Sequence, residues 1–376
     1  MDALGRFRGA ILGLAVGDAL GHPTEFISNL GSIRARWPPY GVTGFEAAGR
    51  HAPGTFTDDT QMAIAVARAL CRVGQRDLDT LMRVMGAEFV AWASSPENNR
   101  APGGTCLAGC RNLARGAPWR EAGVRGSKGS GAAMRAAPVG LYHAGDLDAL
   151  VRVSAAQSAL THAHPTGVAS GVAAAAAIAH ALRDGAVVGV FEFTRACLAR
   201  LTPAMLLDVG CDEGMVSALG VREMSEALDR AEAAQEQDAD DVCALLGGAW
   251  VGEEAVGAAL WCVLKSGGDF SSAVLRAANS SGDSDSIGCI AGAIAGAIGG
   301  VDAIPPVWRG QVEKAAALDA LATALYESSR DRRSVVLAPE LDFFGAERFG
   351  VRPEDFAEGE PTEVNFKRSD LRGRRD

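Results

Sequence analysis

Two short stretches carry carboxylates and hydroxyls at a spacing that could do chemistry. Residues 280–286 read SSGDSDS, with Asp283 and Asp285 one residue apart and Ser281, Ser284 and Ser286 around them. Residues 57–60 read TDDT, placing Asp58 and Asp59 between two threonine hydroxyls. Each cluster stands before a long apolar run, where a helix begins. Polar caps belong at such a start, and the helix dipole favours carboxylates there. Capping alone would explain one cluster. Two clusters of the same build exceed that need, and they could converge on a dinuclear site for a hard, oxygen-seeking cation.

Other stretches could bind. Residues 126–131, GSKGSG, alternate Gly126, Gly129 and Gly131 with Ser127, Lys128 and Ser130 just before the run AAMRAAPVGL. A Gly/Ser loop at a helix start can cradle phosphate oxygens, or it can be a plain connector. It is neither a Walker A loop nor a G-x-G-x-x-G after a strand. Pro102, Gly103 and Gly104 could present backbone N–H groups or simply make a turn. His162 and His164 form H-x-H before Pro165, which suits a transition metal or a substrate contact equally well. Glu25 follows the first apolar run and says little by itself.

The elements that must position these groups read as helices. Apolar periodicity predicts them over 5–20, from the TDDT cluster through Leu70, over 77–95, through the Ala-rich run after Pro165, over most of 186–210, over the charged stretch 222–241, over 247–270 and over 307–328. Gly288, Gly292, Gly296 and Gly300 fall four apart, so on a helix they form one bare stripe that another backbone can approach. Residues 31–54, rich in proline and glycine, read as a long loop. No period-two pattern persists, and aromatics are only 6% of the chain, which disfavours a β-sandwich. The expected fold is all-α: a single multi-helix domain over 1–328. Residues 329–376 read as a C-terminal extension, partly ordered around Leu341, Phe343 and Phe344 and otherwise disordered.

Composition excludes some functions. The formal charge of −10 argues against general nucleic-acid or anionic-membrane binding. None of the eight cysteines forms a C-x-x-C pair, so a zinc site has little support and a reducing cytoplasm is expected. Asp18 interrupts the N-terminal apolar stretch, and a signal peptide is not expected. Residues 287–301 are too short and Gly-rich to span a bilayer.

Taken together, GAILGLAVGDALGHPTEF (9–26), GTFTDDTQMA (54–63), RAPGGTC (100–106), GSGAAMRAAPVGL (129–141), THAHPTG (161–167) and SSGDSDSIGCIAGAIAGA (280–297) resemble the ADP-ribosylglycohydrolase family, in family order. The forms look most like its arginine-directed branch, the ADP-ribosylarginine hydrolases and dinitrogenase-reductase-activating glycohydrolases. The resemblance implies an orthogonal all-helical fold with two Mg²⁺ ions (Mn²⁺ in some members) in a cleft. By the same token Thr57, Asp58, Asp59, Asp283, Asp285 and Ser286 would be metal ligands, Ser286 standing where many members have Thr. Glu25 would sit on a mobile loop over the metals, with Glu25, Asp59 and Asp285 as the catalytic carboxylates. Gly129, Ser130, Gly131 and Met134 would hold the diphosphate, and Pro102, Gly103, Gly104, His162 and His164 would line the ribose side. The implied activity is hydrolysis of the N-glycosidic bond between ADP-ribose and arginine, by a monomer acting on an ADP-ribosylated protein. Two rivals follow: the same fold acting on O-linked ADP-ribose (serine or O-acetyl), or an immunity protein that blocks a toxin transferase through residues 329–376.

Overall fold

The computed structural model describes residues 2–74 and 77–346. Among these residues the chain is helical, with three isolated bridges and no sheet. Ten helices matter for the site: α1 (Ala3–Gly21), α2 (Asp58–Val73), α3 (Leu78–Ser94), α4 (Gly104–Ala114), α5 (Pro165–Asp184), α6 (Arg222–Ala233), α7 (Gly252–Lys265), α8 (Phe270–Ala278), α9 (Ser284–Gly299) and α10 (Ala315–Asp331). The fold is the all-α one expected.

At the centre α9 packs against α1, α5, α7 and α8. Both α1 and α9 are apolar nearly all round, as helices buried on every side must be. Their contact is glycine on glycine. A Cβ added at Gly9, Gly13 or Gly17 would collide with the carbonyl of Gly296, Gly292 or Gly288 respectively, and the reverse substitutions collide in the same way. The pairing runs antiparallel, so the end of α1 lies beside the start of α9. Side-chain hydroxyls lock that junction. Thr24 donates to the Ala278 carbonyl at 2.6 Å, and Ser284 donates to the Gly21 carbonyl at 2.9 Å. The helix α5, with 20 residues, is long and apolar enough to cross a membrane by length and composition, but it lies inside the fold among these helices.

The start of α2 is tied to α1 by Asp18, which is fully buried. Its carboxylate accepts from the Thr57 N–H at 2.8 Å, the Thr60 N–H at 3.0 Å and the Thr60 hydroxyl at 2.6 Å. These amides belong to the first turn of a helix, which lacks partners of its own. Asp18 therefore caps α2 from another helix.

Several expected elements differ in detail. Within 31–54, Leu30–Arg36 is a short helix, started by the Asn29 side chain accepting from the Ser32 N–H at 2.7 Å. The charged stretch 222–241 is helical only through Glu236. The single helix expected over 307–328 is two, Pro306–Gln311 and α10. Tertiary bonds hold the break: the Glu313 N–H donates to the Gly54 carbonyl at 2.9 Å and Arg100 grips its carboxylate, while Lys314 turns to φ 53°. Beyond α10 the chain returns to the core. Val335 N–H donates to the Cys71 carbonyl at 2.8 Å, Asp342 pairs with buried Arg68 at 2.7 Å, and Leu341 and Phe344 are buried. The acidic and basic segments after residue 350 lie outside the described residues. All eight cysteines are free thiols.

Two outcomes test this frame. Gly13→Val or Gly292→Val should overpack the α1–α9 contact and cost about 1–3 kcal/mol in chemical denaturation. Gly145→Ala, which opens into empty space, should stay within about 0.5 kcal/mol. Asp18→Ala should cost about 1–3 kcal/mol for each buried donor left unpaired. Asp18→Asn, keeping an acceptor oxygen, should recover part of that loss; equal losses in the two would refute the capping role.

Candidate active site

The two acidic helix starts open into one cleft of about 350 Å³. Asp58 and Asp59 enter it from the start of α2, and Asp283, Asp285 and Ser286 from the start of α9. Glu25, just past α1, completes the acidic floor. Carboxylate oxygens of Glu25, Asp283 and Asp285 lie within 4.8 Å of one another. Asp58 and Asp59 line the same cleft but fall outside that triad.

The opposite walls are loops. Pro102, Gly103 and Gly104 form one, together with Ala101, whose φ of 52° is left-handed although it is not glycine. Arg100 anchors this loop, donating to the Phe56 carbonyl at 2.7 Å and to both Glu313 oxygens at 2.6 and 2.8 Å. The Gly103 N–H in turn donates to Asp58 at 3.2 Å. The second wall is Gly129, Ser130 and Gly131, with Met134 behind. A Cβ at Gly131 would press on Cys106 Sγ and the His162 ring, so only glycine lets this backbone sit on the imidazole. The loop is pinned from the other side, where Gly252 N–H donates to the Lys128 carbonyl at 2.8 Å and Ser130 N–H to the Trp250 carbonyl at 3.3 Å.

Electrostatics mark the cleft as a place for positive charge. Burial pushes Glu25 up to about 11 and Asp58 up to about 8, the neighbouring carboxylates adding to both. Burial and the Asp285 charge raise Asp18 to about 6. Burial lifts Asp283 to about 6, against the downward pull of hydrogen bonds from Ser130 and Ser286. Asp59 and Asp285 are raised well above the ordinary range, first by burial and then by the surrounding charges. Nearby basic groups do not relieve this. Lys128 pairs with Glu253 and Glu223, and Arg100 with Glu313. Glu25 Oε2 and Asp59 Oδ2 are buried with no hydrogen-bond partner among the described residues. Orphaned carboxylate oxygens in an oxygen-only donor set fit a hard divalent cation.

Of the site residues that the family resemblance implies, Glu25, Asp58, Asp59, Pro102, Gly103, Gly104, Gly129, Ser130, Gly131, Met134, His162, Asp283, Asp285 and Ser286 all line the cleft. Two do not. Thr57 is the N-cap of α2, its hydroxyl accepting from the Asp59 N–H at 3.3 Å. His164 is the N-cap of α5, its Nδ1 accepting from the Thr166 N–H at 3.1 Å. His162 is buried, its Nδ1 2.8 Å from the Thr161 hydroxyl, and burial holds it down at about 3, so it is a neutral imidazole. Sequence reasoning missed Asp18, read only as a charge interrupting an apolar run, and also Cys106, Phe26 and Trp250, which line the cleft. No spacing tied these residues to the clusters. It also set Glu25 apart from the ligands, whereas its carboxylate sits inside the acidic triad.

The family model described as ADP-ribosylglycohydrolase matches residues 1–335. ADP-ribosylarginine hydrolase Tri1 of Pseudomonas putida (strain GB-1) is 28% identical over 93% of this chain and 83% of its own length. Human ADP-ribosylhydrolase ARH3 is 27% identical over 86% of this chain and 93% of its own. A solved structure titled ADP-ribosylglycohydrolase-related protein complex superposes with a TM-score of 0.62 at 26% identity, covering 87% of this chain and 99% of that one. The matches run through both acidic helix starts and the loops between them, so the chain belongs to the ADP-ribosylglycohydrolase family, and hydrolysis of an ADP-ribose linkage is its class of reaction.

Proposed function

We propose that the chain hydrolyses the N-glycosidic bond between ADP-ribose and arginine on a modified protein, using two Mg²⁺ ions, with Mn²⁺ able to replace them. Support comes above all from the convergence of two acidic helix starts and a glycine loop on one cleft. The arginine linkage is favoured by similarity to a relative named as an ADP-ribosylarginine hydrolase over 93% of this chain. Asp58, Asp59, Asp283, Asp285, Ser286 and Glu25 would hold the cations, with Thr57 shaping the α2 start behind Asp58 and Asp59. When bound, the cations supply Lewis-acid charge and lower the pKa of water.

The chain's own groups would do the rest. The first-turn amides of the Ser130–Ala132 turn lie outside its own ladder, and Ser130 N–H is taken by Trp250. That leaves the Gly131 amide to receive a phosphate oxygen. Neutral His162 beneath Gly131 shapes the ribose side without carrying charge. Either Asp59 or Glu25 would orient the attacking water and take its proton. As the bond from the anomeric carbon to nitrogen breaks, positive charge develops on the ribose, and the surrounding carboxylates stabilise it. Water oxygen goes to the anomeric carbon, and the departing guanidine takes a proton.

Incubating the protein with arginine-linked and serine-linked ADP-ribosyl peptides should release ADP-ribose from the arginine substrate. EDTA should stop the release, and added Mg²⁺ should restore it. Asp58→Ala and Asp285→Ala should each lower turnover by at least about a hundredfold. Normal turnover in those variants would sink this reading, and preferential serine cleavage would move it to the O-linked rival. A pH series tests the charge balance. In the metal-free protein the raised carboxyl pKa values mean that the folded chain binds more protons than the unfolded chain between about pH 4 and the folded values near 6 to 8 of Asp283 and Asp58. Stability of the metal-free chain should therefore fall as pH rises through that window. Since cations displace those protons, the rise in Tm on adding Mg²⁺ should be larger at pH 8 than at pH 6. A pH-independent rise would contradict cation binding at these carboxylates.

A further inference from the structure

Two of the most exposed aromatic rings of the described residues meet at the mouth of the cleft. Phe26 is 70% exposed and Trp250 49%, and both line the cleft. Their rings stack with centroids 5.9 Å apart at 18°. Phe26 follows Glu25 directly, so it is fixed one residue from the acidic triad. Trp250 is held by its surroundings. Its carbonyl accepts from Ser130, the Gly248 carbonyl accepts from Asp283 N–H at 2.9 Å, and Ala249 N–H donates to Glu254 at 3.1 Å while taking a left-handed φ of 62°. A backbone strained at a non-glycine residue and tied on three sides holds its neighbour in a chosen place. An exposed aromatic slab costs solubility and needs a reason.

We infer that the Phe26–Trp250 pair is the receptor for the leaving group and sets specificity for a planar cation, the guanidinium of the modified arginine. This rests on the arginine reading above. The inference follows from position and charge. The acidic floor is where the scissile bond would lie, so the group leaving it emerges past Glu25 and Asp283, where these rings stand. Aromatic faces rimmed by carboxylates attract a delocalised cation, and guanidinium stacks on such rings better than a neutral hydroxyl-linked group does.

Steady-state kinetics of Phe26→Ala, Trp250→Ala and the conservative Phe26→Tyr and Trp250→Phe variants test this, with ADP-ribose affinity measured by calorimetry. Each alanine variant should raise KM for the arginine-linked substrate roughly five- to thirtyfold with kcat held, the size of a desolvated cation–π contact. ADP-ribose, which lacks the guanidine, should bind as tightly as it does to the unaltered protein, and the conservative variants should restore KM. A matching loss of ADP-ribose affinity would assign the pair to the nucleobase and overturn the inference. An unchanged KM, or a fall in kcat alone, would overturn it equally. If the unaltered protein fails to cleave the arginine linkage, both readings fall together. If it cleaves while the variants keep its KM, only this one falls.

Discussion

The close approach of α1 and α9 is the constraint on which the site depends. Gly9, Gly13 and Gly17 face Gly296, Gly292 and Gly288 without intervening side chains. Because the two helices run antiparallel, this contact carries the end of α1 to the beginning of α9. Glu25 thereby comes within 4.8 Å of Asp283 and Asp285, and Asp18 comes near enough to feel the Asp285 charge. Side chains in the stripe would push the axes apart by the width of a methyl group or more, and ligand geometry does not tolerate that. The hydroxyl bonds of Thr24 and Ser284 then set the register of the junction.

Such a junction concentrates negative charge, and the fold leaves it unneutralised. The bases that come near are engaged elsewhere: Lys128 by Glu223 and Glu253, Arg100 by Glu313. Arg135, fully buried below the cleft, bonds to Gln157 and stacks on Phe89. Carboxylates assembled without counter-charge destabilise a metal-free protein, and a bound cation reverses the sign of that interaction. This is the usual tension between stability and function at a site. Here its seat is the group of carboxylates whose pKa values burial raises.

The helices and the acidic clusters were legible because both obey local rules: a 3.6-residue apolar period, and polar groups just before it. The glycine stripe of α9 was legible as a surface another backbone could approach. Its partner was not, because the matching glycines of α1 are hidden in an ordinary apolar run and pairing is a long-range fact. The split at Val312–Lys314 was invisible for the same reason, since the bonds that make it come from Gly54 and Arg100. His162 and His164 show the limit of motif reading. They are two residues apart, yet one lines the cleft and the other caps α5. The aromatic pair at the mouth joins residues 26 and 250, a juxtaposition no local pattern encodes.

The plain alternative for both clusters was helix capping, and the structure shows why it does not exhaust them. A helix start needs acceptors for its first amides. At α2 those acceptors are Asp18, reaching across from α1, and the Thr57 hydroxyl. At α9 the Asp283 side chain makes no capping bond, although Asp283 occupies the N-cap position; its own N–H is spent on the Gly248 carbonyl. Asp59 and Glu25 each keep a buried oxygen without a partner, and Asp58 gives one oxygen to Gly103 N–H. At α2 capping is thus met largely from outside the acidic pair, whereas at α9 one Asp285 oxygen accepts from the Ser286 N–H at 3.0 Å; the oxygens not used in this way remain available to a ligand. The two helix dipoles still favour negative charge at these positions. Dipoles that favour the carboxylates, and caps that leave Asp59 and Glu25 oxygens unpaired, are what turn two ordinary helix starts into a candidate cation site.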